Sequence, residues 1–289
     1  MLAVSVPELR HRWPPRLELV EQVKTAVRGG GLVSLIGAAG TGKTFLLEEA
    51  LSGLGMGELP KLEIDFEIYR IDPLEAMASG LESLVSHRIR PSGYEIVQLV
   101  RELMSQPRVL LLEHVEAASA HPKFTELLST LLDITALRIR SFSAQLVVVV
   151  TSRSAPRSFH FGQPEVVATD FSESELRELA CDPHLAERIT LEVGLNPLLA
   201  SCACETPAVI DHPSAHARVA QAWKRAAEWM NRLPDSAVGE LARAVIEREG
   251  RVSWSLQSKP FLEGYALGVL AHDGSVRYPF YRRHLAKLL

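Results

Sequence analysis

The sequence lacks the features that mark secreted and membrane-spanning proteins. Only 3 of its 289 residues are cysteines, so they cannot all pair with one another, and the chain opens with charges and prolines instead of a signal-peptide core. No apolar run approaches the roughly 18 residues of a membrane span. These absences exclude a disulfide-dense scaffold and an integral membrane protein, and they predict a protein of the reducing cytoplasm.

A strong charge of either sign is also absent. The formal net charge is -4 and the pI is about 6.2, so binding to nucleic acid would need a local basic face rather than the field of the whole chain. Hydrophobic residues make up 47% of the sequence, which is ample for a buried core. The length and composition predict one large or two to three smaller domains.

A metal site could be drawn from two cysteines and two histidines in the C-terminal half. Cys202 and Cys204 precede His212 and His216. The C-x-C and H-x-x-x-H spacings lack the C-x-x-C pair that is usual in zinc sites, so small thiols buried in a helix are the favoured interpretation.

The first 170 residues alternate strand-type runs with helical patterns. We predict strands at residues 33–36, 62–69, 109–112 and 145–151, and helices at 45–51, 73–85, 94–104 and 124–139. The runs at 109–112 and 145–151 are apolar enough to be buried on both faces of a sheet. This order predicts an α/β fold, a three-layer domain with a mainly parallel sheet.

The remaining chain changes to a helical pattern after residue 170. Ser172 followed by Glu175 is a capping-box signature that starts a helix there. Further helices are predicted at 173–180, 185–193, 197–204 and 215–233. These form a helical lid domain over residues 171–233, after a first domain at 1–170.

The last segment, residues 234–289, has the outline of a winged-helix domain. We predict helices at 235–249 and 260–270 and a short strand at 252–255. Asp273 and Gly274 between strand-type residues predict a two-residue hairpin turn, which would be the wing.

The segment "GAAGTGKT" carries the clearest chemical signal. Gly37, Gly42, Lys43 and Thr44 satisfy the pattern G-x-x-x-x-G-K-[ST], after a β-branched strand and before an amphipathic helix. In this arrangement backbone N–H groups curl around phosphate oxygens, the lysine reaches the outer phosphates, and the threonine hydroxyl binds magnesium. The predicted cradle consists of Gly37, Ala38, Ala39, Gly40, Thr41, Gly42, Lys43 and Thr44.

Polar residues that follow two buried strands complete the predicted site. Glu113 comes directly after the apolar run at 109–112, where a carboxylate can hold Mg²⁺ together with Thr44. Glu116 lies on the next turn, either to orient water or as a surface residue. Arg153 follows the strand at 145–151 and either stabilises the outer phosphate or is a surface arginine.

These motifs together resemble the AAA+ and STAND superfamily of P-loop ATPases, including its archaeal-ATPase-like and initiator-like members. "GAAGTGKT" resembles Walker A, "VLLLEHVE" Walker B, "VVVTSR" the sensor-1 strand, and "GLNPLL" the lid motif whose proline, here Pro197, packs near adenine. "RWPPRLELVEQV" is similar to the family's lead-in, with Arg16, Glu18 and Leu19 as the matching residues. "YPFYRRHLAKLL" resembles the last helix of a winged-helix module.

The Walker B segment departs from that family. Such segments usually carry an aspartate and then a second acid that acts as base, whereas here Glu113 is followed by His114. A glutamate can still hold magnesium through water. Fast hydrolysis would require Glu116 or His114 to position the water.

The resemblance implies an ATP-binding, slowly hydrolysing molecular switch with ATP or ADP and Mg²⁺ as its ligands. Nucleotide would control the arrangement of the ATPase, lid and winged-helix domains, and through it self-association or binding of a partner protein. One alternative is an initiator-like or transposition-regulator-like ATPase on duplex DNA. Its candidate contacts are the basic residues Arg277, Arg282, Arg283, His284, Lys287, Arg10, Arg12 and Arg16. Another alternative is a P-loop kinase or transferase, which the lid motif and the winged-helix pattern disfavour.

Overall fold

A computed structural model describes residues 14, 16–29, 32–66, 72–85, 88–103, 108–118, 121–139, 146–153, 165–247, 250–256, 258–271 and 273–289. Several sequence predictions lie outside these residues. They concern Arg10, Arg12, the end of one predicted strand at 67–69, the start of another at 145, and the ends of two helices at 104 and 248–249.

The described chain divides into two compact units. The sheet unit comprises Leu17–Gly37 and Lys43–Ala168. The C-terminal unit comprises Thr169–Leu289 together with Ala38–Gly42 and, before them, the segment that ends at Arg16. The boundary at residues 168 and 169 lies close to the predicted end of the first domain. The three-domain division at 1–170, 171–233 and 234–289 stays a prediction.

Within the described residues, the sheet unit has five parallel strands in the order β2-β3-β4-β1-β5. The strands are β1 Leu32–Ile36, β2 Lys61–Asp65, β3 Arg108–Glu113, β4 Leu146–Ser152 and β5 Glu165–Val167. Four of them occupy predicted positions, and the parallel sheet is confirmed. The three-residue β5, which pairs with β1, was not predicted because so short a run has no periodicity to detect.

The helices of the sheet unit form a layer on each face of the sheet. They are α1 Leu17–Gly29, α2 Lys43–Gly53, α3 Pro73–Glu82, α4 Gly93–Leu103 and α5 Pro122–Ile139. Leu110 and Leu112 of β3 belong to one apolar core with α3, α4 and α5, whereas Val109 and Leu111 belong to another with α1 and α2. Alternate side chains of a strand point to opposite faces, so this division confirms the three-layer α/β fold.

The C-terminal unit is helical and has one continuous apolar core that runs from Phe171 to Leu285. Its helices are α6 Glu173–Ala180, α7 Pro183–Glu192, α8 Pro197–Glu205, α9 Ala217–Met230, α10 Asp235–Ile246, α11 Lys259–Ala266 and α12 Pro279–Leu285. The predicted capping box is present. The Ser172 side chain accepts from the backbone of Glu175, whose carboxylate accepts from the Ser172 N–H.

The predicted strand at 252–255 is wrong. Arg251 forms a single antiparallel bridge with Ser275, and no ladder follows it. The Ser253 N–H and hydroxyl instead donate to the Glu240 carboxylate, at 2.9 and 2.6 Å. A side chain therefore takes the hydrogen bonds that a strand would need.

The predicted hairpin forms, but its turn is longer than two residues. Leu270 pairs with Val276, and the Ala271 N–H donates to the Ser275 carbonyl at 2.8 Å. Gly274 has a φ of 83° and donates its N–H to the Ala271 carbonyl, which places it in the left-handed position that closes a bulged turn. Helices α10 and α11, this hairpin and α12 follow one another as a winged helix requires, and that assignment stays a prediction.

The three cysteines lie in the C-terminal unit. Cys202 is buried in the core of the C-terminal unit, and burial raises the pKa of its thiol to about 12. All three cysteines are unpaired with one another, with Cys181 exposed. In the part of the chain that the structure describes, no helix is long and apolar enough to cross a membrane.

Candidate nucleotide-binding site

The glycine-rich segment follows the strand-turn-helix course that its pattern predicts. Strand β1 ends at Ile36, and α2 begins at Lys43. Gly40 and Gly42 have φ values of 81° and 86°, in the left-handed region that side chains disfavour, so the turn needs glycine at both positions. The Gly37 N–H donates to the Ser152 carbonyl at 3.0 Å, which fixes the start of the turn to the end of β4.

Lys43 lies at the start of α2 and is partly buried. Its ammonium donates to the Gly37 carbonyl at 2.6 Å. Burial lowers the pKa of Lys43 to about 8, while the charges of Glu116 and Glu113 act to raise it. The next residue, Thr44, is exposed in the first turn of the helix. A phosphate would therefore meet a desolvated ammonium, whose attraction for an anion is stronger than in water.

The carbonyl oxygens of the turn are held by residues of the C-terminal unit. The Asn196 amide donates to the Ala39 carbonyl at 3.0 Å, and the Leu198 N–H donates to the Gly40 carbonyl at 3.0 Å. These contacts fix peptide groups that the P-loop pattern assigns to phosphate binding. Asn196 stands immediately before the predicted lid residue Pro197, and no sequence pattern marked it as a partner of the turn.

Asn196 can hold the turn because its own position is fixed. It is the N-cap of α8, where its side-chain oxygen accepts from the Leu199 N–H at 3.2 Å, and it is 3% exposed. A Cβ on Gly40 would lie 2.6 Å from that oxygen, so the close approach requires glycine. Pro197 is buried at the first position of α8, and its contact with adenine stays a prediction.

Arg16, the predicted lead-in residue, holds the other end of the same turn. Its guanidinium donates to the Thr41 carbonyl at 3.0 Å and to the Thr169 carbonyl at 2.8 Å. It also forms an ion pair with Glu175 at 3.2 Å. Arg16 is 6% exposed, which is acceptable for a charge only because these partners surround it.

The sheet unit brings two carboxylates together beside Lys43. Asp65 ends β2 and is the register partner of Glu113, which ends β3. Burial, together with a hydrogen bond to Glu63, raises the pKa of Glu113 to about 8. Among the described residues, Asp65, Glu113 and His114 are the one group whose ligand atoms lie within 4.8 Å of one another. Paired carboxylate oxygens fit a hard cation such as Mg²⁺, so Glu113 with Thr44 and Asp65 could hold one.

His114 follows β3 in the left-handed conformation, with a φ of 54°. Its Nδ1 lies 2.7 Å from an Asp65 oxygen, and its Nε2 lies 2.9 Å from Nη2 of Arg153. The sequence predicted neither contact. Asp65 falls inside the strand predicted at 62–69, so its place at the end of β2 beside Glu113 was not detectable from the pattern.

Glu116 and Arg153 contact each other, which the sequence did not predict. The Arg153 N–H donates to a Glu116 carboxylate oxygen at 3.2 Å, and the guanidinium lies 3.9 Å from the other oxygen. Arg153 is 8% exposed, so it is not an ordinary surface arginine. Its neighbours Thr151 and Ser152 are also buried. The catalytic roles predicted for Glu113, Glu116 and Arg153 stay predictions.

Comparison with known proteins adds solved structures of the same fold. No protein-family model matches the sequence, and no curated protein matches it. A Walker-type ATPase of Pyrococcus abyssi, PABY2304, superposes with a TM-score of 0.58 at 14% identity, covering 93% of this chain and 95% of that chain. The ORC2 protein of Aeropyrum pernix, described as ADPNP-ADP complexes, superposes with a TM-score of 0.50 at 12% identity, covering 100% of this chain and 86% of that chain.

At these identities the superpositions establish the fold and leave the activity open. They extend over nearly the whole of both chains rather than the sheet alone. The resemblance to P-loop ATPases inferred from the motifs is thus confirmed at the level of fold.

Proposed function

We propose that the protein binds ATP or ADP with Mg²⁺ at Gly37–Thr44 and acts as a slow ATPase switch. Its nucleotide state would control self-association or the binding of a partner protein. The neighbouring fold of a Walker-type ATPase and the described nucleotide complexes of ORC2 support nucleotide as the ligand. The partly buried Lys43, with Glu113 and Arg153 near enough to affect its charge, supports the location.

One observation supports the switch: the backbone carbonyl groups of the glycine-rich turn accept hydrogen bonds from residues of the C-terminal unit. Ala39, Gly40 and Thr41 each give their carbonyl oxygen to a donor of that unit. Phosphates bind such turns through the N–H groups. A nucleotide that reorients these peptide groups must change the hydrogen bonds on their other side. Differential binding to two arrangements of the turn is what a nucleotide switch requires.

Slow hydrolysis follows from the residues beside Glu113. His114 occupies the position where related ATPases carry a second acid, and its imidazole nitrogens lie beside Asp65 and Arg153. Glu116 also contacts Arg153. A side chain that acts as general base for the attacking water must leave such contacts before it can accept a proton. This requirement lowers the rate of ATP hydrolysis. Turnover of many ATP molecules per second by the purified protein would contradict this part of the proposal.

Measurement of particle size with ATP, ADP and no nucleotide tests the switch. We expect ATP to change the sedimentation coefficient of the wild type and to leave that of Lys43→Ala unchanged. The exposed Lys61, at the start of β2, gives a matched control as Lys61→Ala, which should behave as the wild type. A wild type that binds no nucleotide would refute the proposal. A wild type that binds nucleotide without changing size would refute control of self-association.

A substitution at Asn196 tests the carbonyl-side contact separately. Asn196→Asp keeps the oxygen that caps α8 but removes the amide that donates to Ala39. We expect this variant to bind nucleotide and to lose most of the nucleotide-dependent change in size. The same replacement at the exposed Asn231 serves as the control. An unchanged response in Asn196→Asp would show that this contact does not transmit nucleotide state.

The DNA-binding alternative receives less support from the described basic residues. Arg283 pairs with Glu192 and Asp211, and Arg277 pairs with Asp170. Guanidiniums held in such pairs present less charge to phosphates. Binding to duplex DNA that weakens steeply with added salt would restore this alternative, and no binding at low salt would remove it.

A further inference from the structure

His114 stands between a carboxylate and a guanidinium at the end of β3. Its two ring nitrogens face different partners, with Nδ1 at 2.7 Å from Asp65 and Nε2 at 2.9 Å from Arg153. The backbone places the ring there by adopting a φ of 54°, a conformation that histidine enters more often than most residues but still uncommonly. The ring therefore joins the end of β2 to the end of β4.

The partners determine which nitrogen carries the hydrogen. A guanidinium has five donors and no acceptor, so Nε2 must accept from the Arg153 Nη2–H. The neutral ring then carries its hydrogen on Nδ1, which donates to the Asp65 carboxylate. A carboxylate that orients an imidazole in this way also makes the opposite nitrogen a better acceptor. Asp65 thus strengthens the hold of His114 on the guanidinium.

Arg153 is near enough to Lys43, the residue that the P-loop pattern assigns to the outer phosphates, for its charge to act on that ammonium. Burial is the main reason that the pKa of Lys43 is lowered, and the nearby positive charge of Arg153 lowers it further. Two cations at one partly desolvated place repel each other in the absence of an anion. The backbone N–H of Arg153 is also bonded to Glu116, so both the main chain and the guanidinium are restrained.

We propose that His114 is a positioning residue that holds the Arg153 guanidinium where it meets the terminal phosphate of a nucleoside triphosphate. His114 thereby sets the preference of the site for triphosphate over diphosphate. This inference rests on the proposed function, since it assigns a specificity-determining role within the same nucleotide site. The histidine that replaces the usual second acid therefore serves recognition of the γ-phosphate through Arg153.

The test compares three replacements that separate the ring's contact from its backbone conformation. His114→Ala removes both nitrogens. His114→Gln can place an acceptor oxygen near the position of Nε2, whereas His114→Asn reaches only as far as Nδ1. Asparagine tolerates the left-handed conformation best of these residues, so His114→Asn is the control for a purely structural role. Thermal unfolding of each variant shows whether it is folded.

The measured quantity is the ratio of the affinities for a non-hydrolysable ATP analogue and ADP, both with Mg²⁺. We expect His114→Ala to reduce the triphosphate preference about tenfold, the size of one charge-assisted hydrogen bond, with little change for ADP. Arg153→Ala should have the same effect, and the double variant should lose no more than Arg153→Ala alone. Glutamine should restore most of the preference and asparagine should not.

Three results would overturn the inference. They are an unchanged ratio in folded His114→Ala, restoration by asparagine but not by glutamine, and full additivity of the His114 and Arg153 substitutions. If the wild type still binds nucleotide in these experiments, the proposed function is not refuted and only the inference on His114 fails. A wild type that binds neither nucleotide refutes the proposed function, and the inference fails with it.

Discussion

Replacement of Glu113 by glutamine tests whether this carboxyl group is protonated in the nucleotide-free protein. Burial and the neighbouring Glu63 raise its pKa from 4.5 to about 8. The folded protein then binds one more proton than the unfolded chain between about pH 4.5 and pH 8. The free energy of unfolding must fall as the pH rises through this range, because the folded state resists losing that proton. Glutamine cannot titrate, and its amide can still donate to Glu63 as the protonated carboxyl does.

The size of the effect follows from the shift in pKa. At 1.36 kcal/mol per pH unit, the difference between 4.5 and about 8 gives an upper limit of about 5 kcal/mol. Glu113 is only partly buried, and the positive charge of Lys43 favours its ionised form. Solvent and local relaxation reduce the penalty further, so we expect about 1–3 kcal/mol. Relative to the wild type, Glu113→Gln should be more stable by this amount at pH 8.5 than at pH 5.

The assay is urea unfolding at several pH values from 5 to 9, in EDTA and without nucleotide. Glu63→Ala provides a second perturbation, because removal of that neighbour lowers the pKa of Glu113 and should flatten the pH dependence of the wild type in part. Burial, the larger cause, remains in that variant. A difference between wild type and Glu113→Gln that stays constant from pH 5 to pH 9 would refute the reasoning.

Three further predictions concern other residues of the candidate nucleotide site and its ligand Mg²⁺. Lys43→Met should raise the free energy of unfolding at pH 7, and this gain should shrink between pH 8 and pH 10.5. The reason is that burial lowers the pKa of Lys43 from 10.5 to about 8 in the folded state only. Urea unfolding at pH 7 and at pH 10.5 checks this. Gly40→Ala should lower the free energy of unfolding by about 1–3 kcal/mol, since φ is 81° and the new Cβ would lie 2.6 Å from Asn196. The control Gly239→Ala, in α10 with open space around it, should be neutral or stabilising by up to about 1 kcal/mol. Equal shifts in the melting temperatures of the two variants would contradict this. Mg²⁺ binding with ATP should release protons near pH 7, because Glu113 must ionise to hold the metal. Calorimetry in buffers of different ionisation enthalpy measures this release. If no protons are released, Glu113 is not a ligand of the metal.

Local patterns predicted the elements that carry strong periodicity or a turn signature. The apolar run of β3, the capping box at Ser172 and the glycine-rich turn before Lys43 each depend on residues near one another in the chain. The parallel sheet followed from the alternation of strands with helices. The sequence therefore predicted the fold class and the place of the glycine-rich turn between β1 and α2.

Contacts between residues that are far apart in the sequence could not be predicted from those local patterns. His114 and Asp65 are separated by 49 positions, and Asn196 and Ala39 by 157. Neither pair has a spacing rule, because each depends on the order of strands or on the packing of helices. The strand predicted at 252–255 failed for a related reason, since Glu240 competes for the backbone and hydroxyl donors of Ser253. Side-chain competition of this kind leaves no trace in hydrophobic periodicity.

The C-terminal unit is formed by three separate stretches of the chain, and this limits how the protein can be cut into fragments. Its five-residue insert, Ala38–Gly42, is covalently flanked on both sides by residues of the sheet unit. A fragment that stops at residue 168 would keep the residues of the "GAAGTGKT" motif but lose Asn196 and two partners of Arg16, Thr169 and Glu175. The peptide carbonyls of Ala39 and Gly40 would then turn to water. A single cut cannot separate the two units cleanly, so truncation and domain-swap experiments on this chain should move the turn together with the helices that bind it.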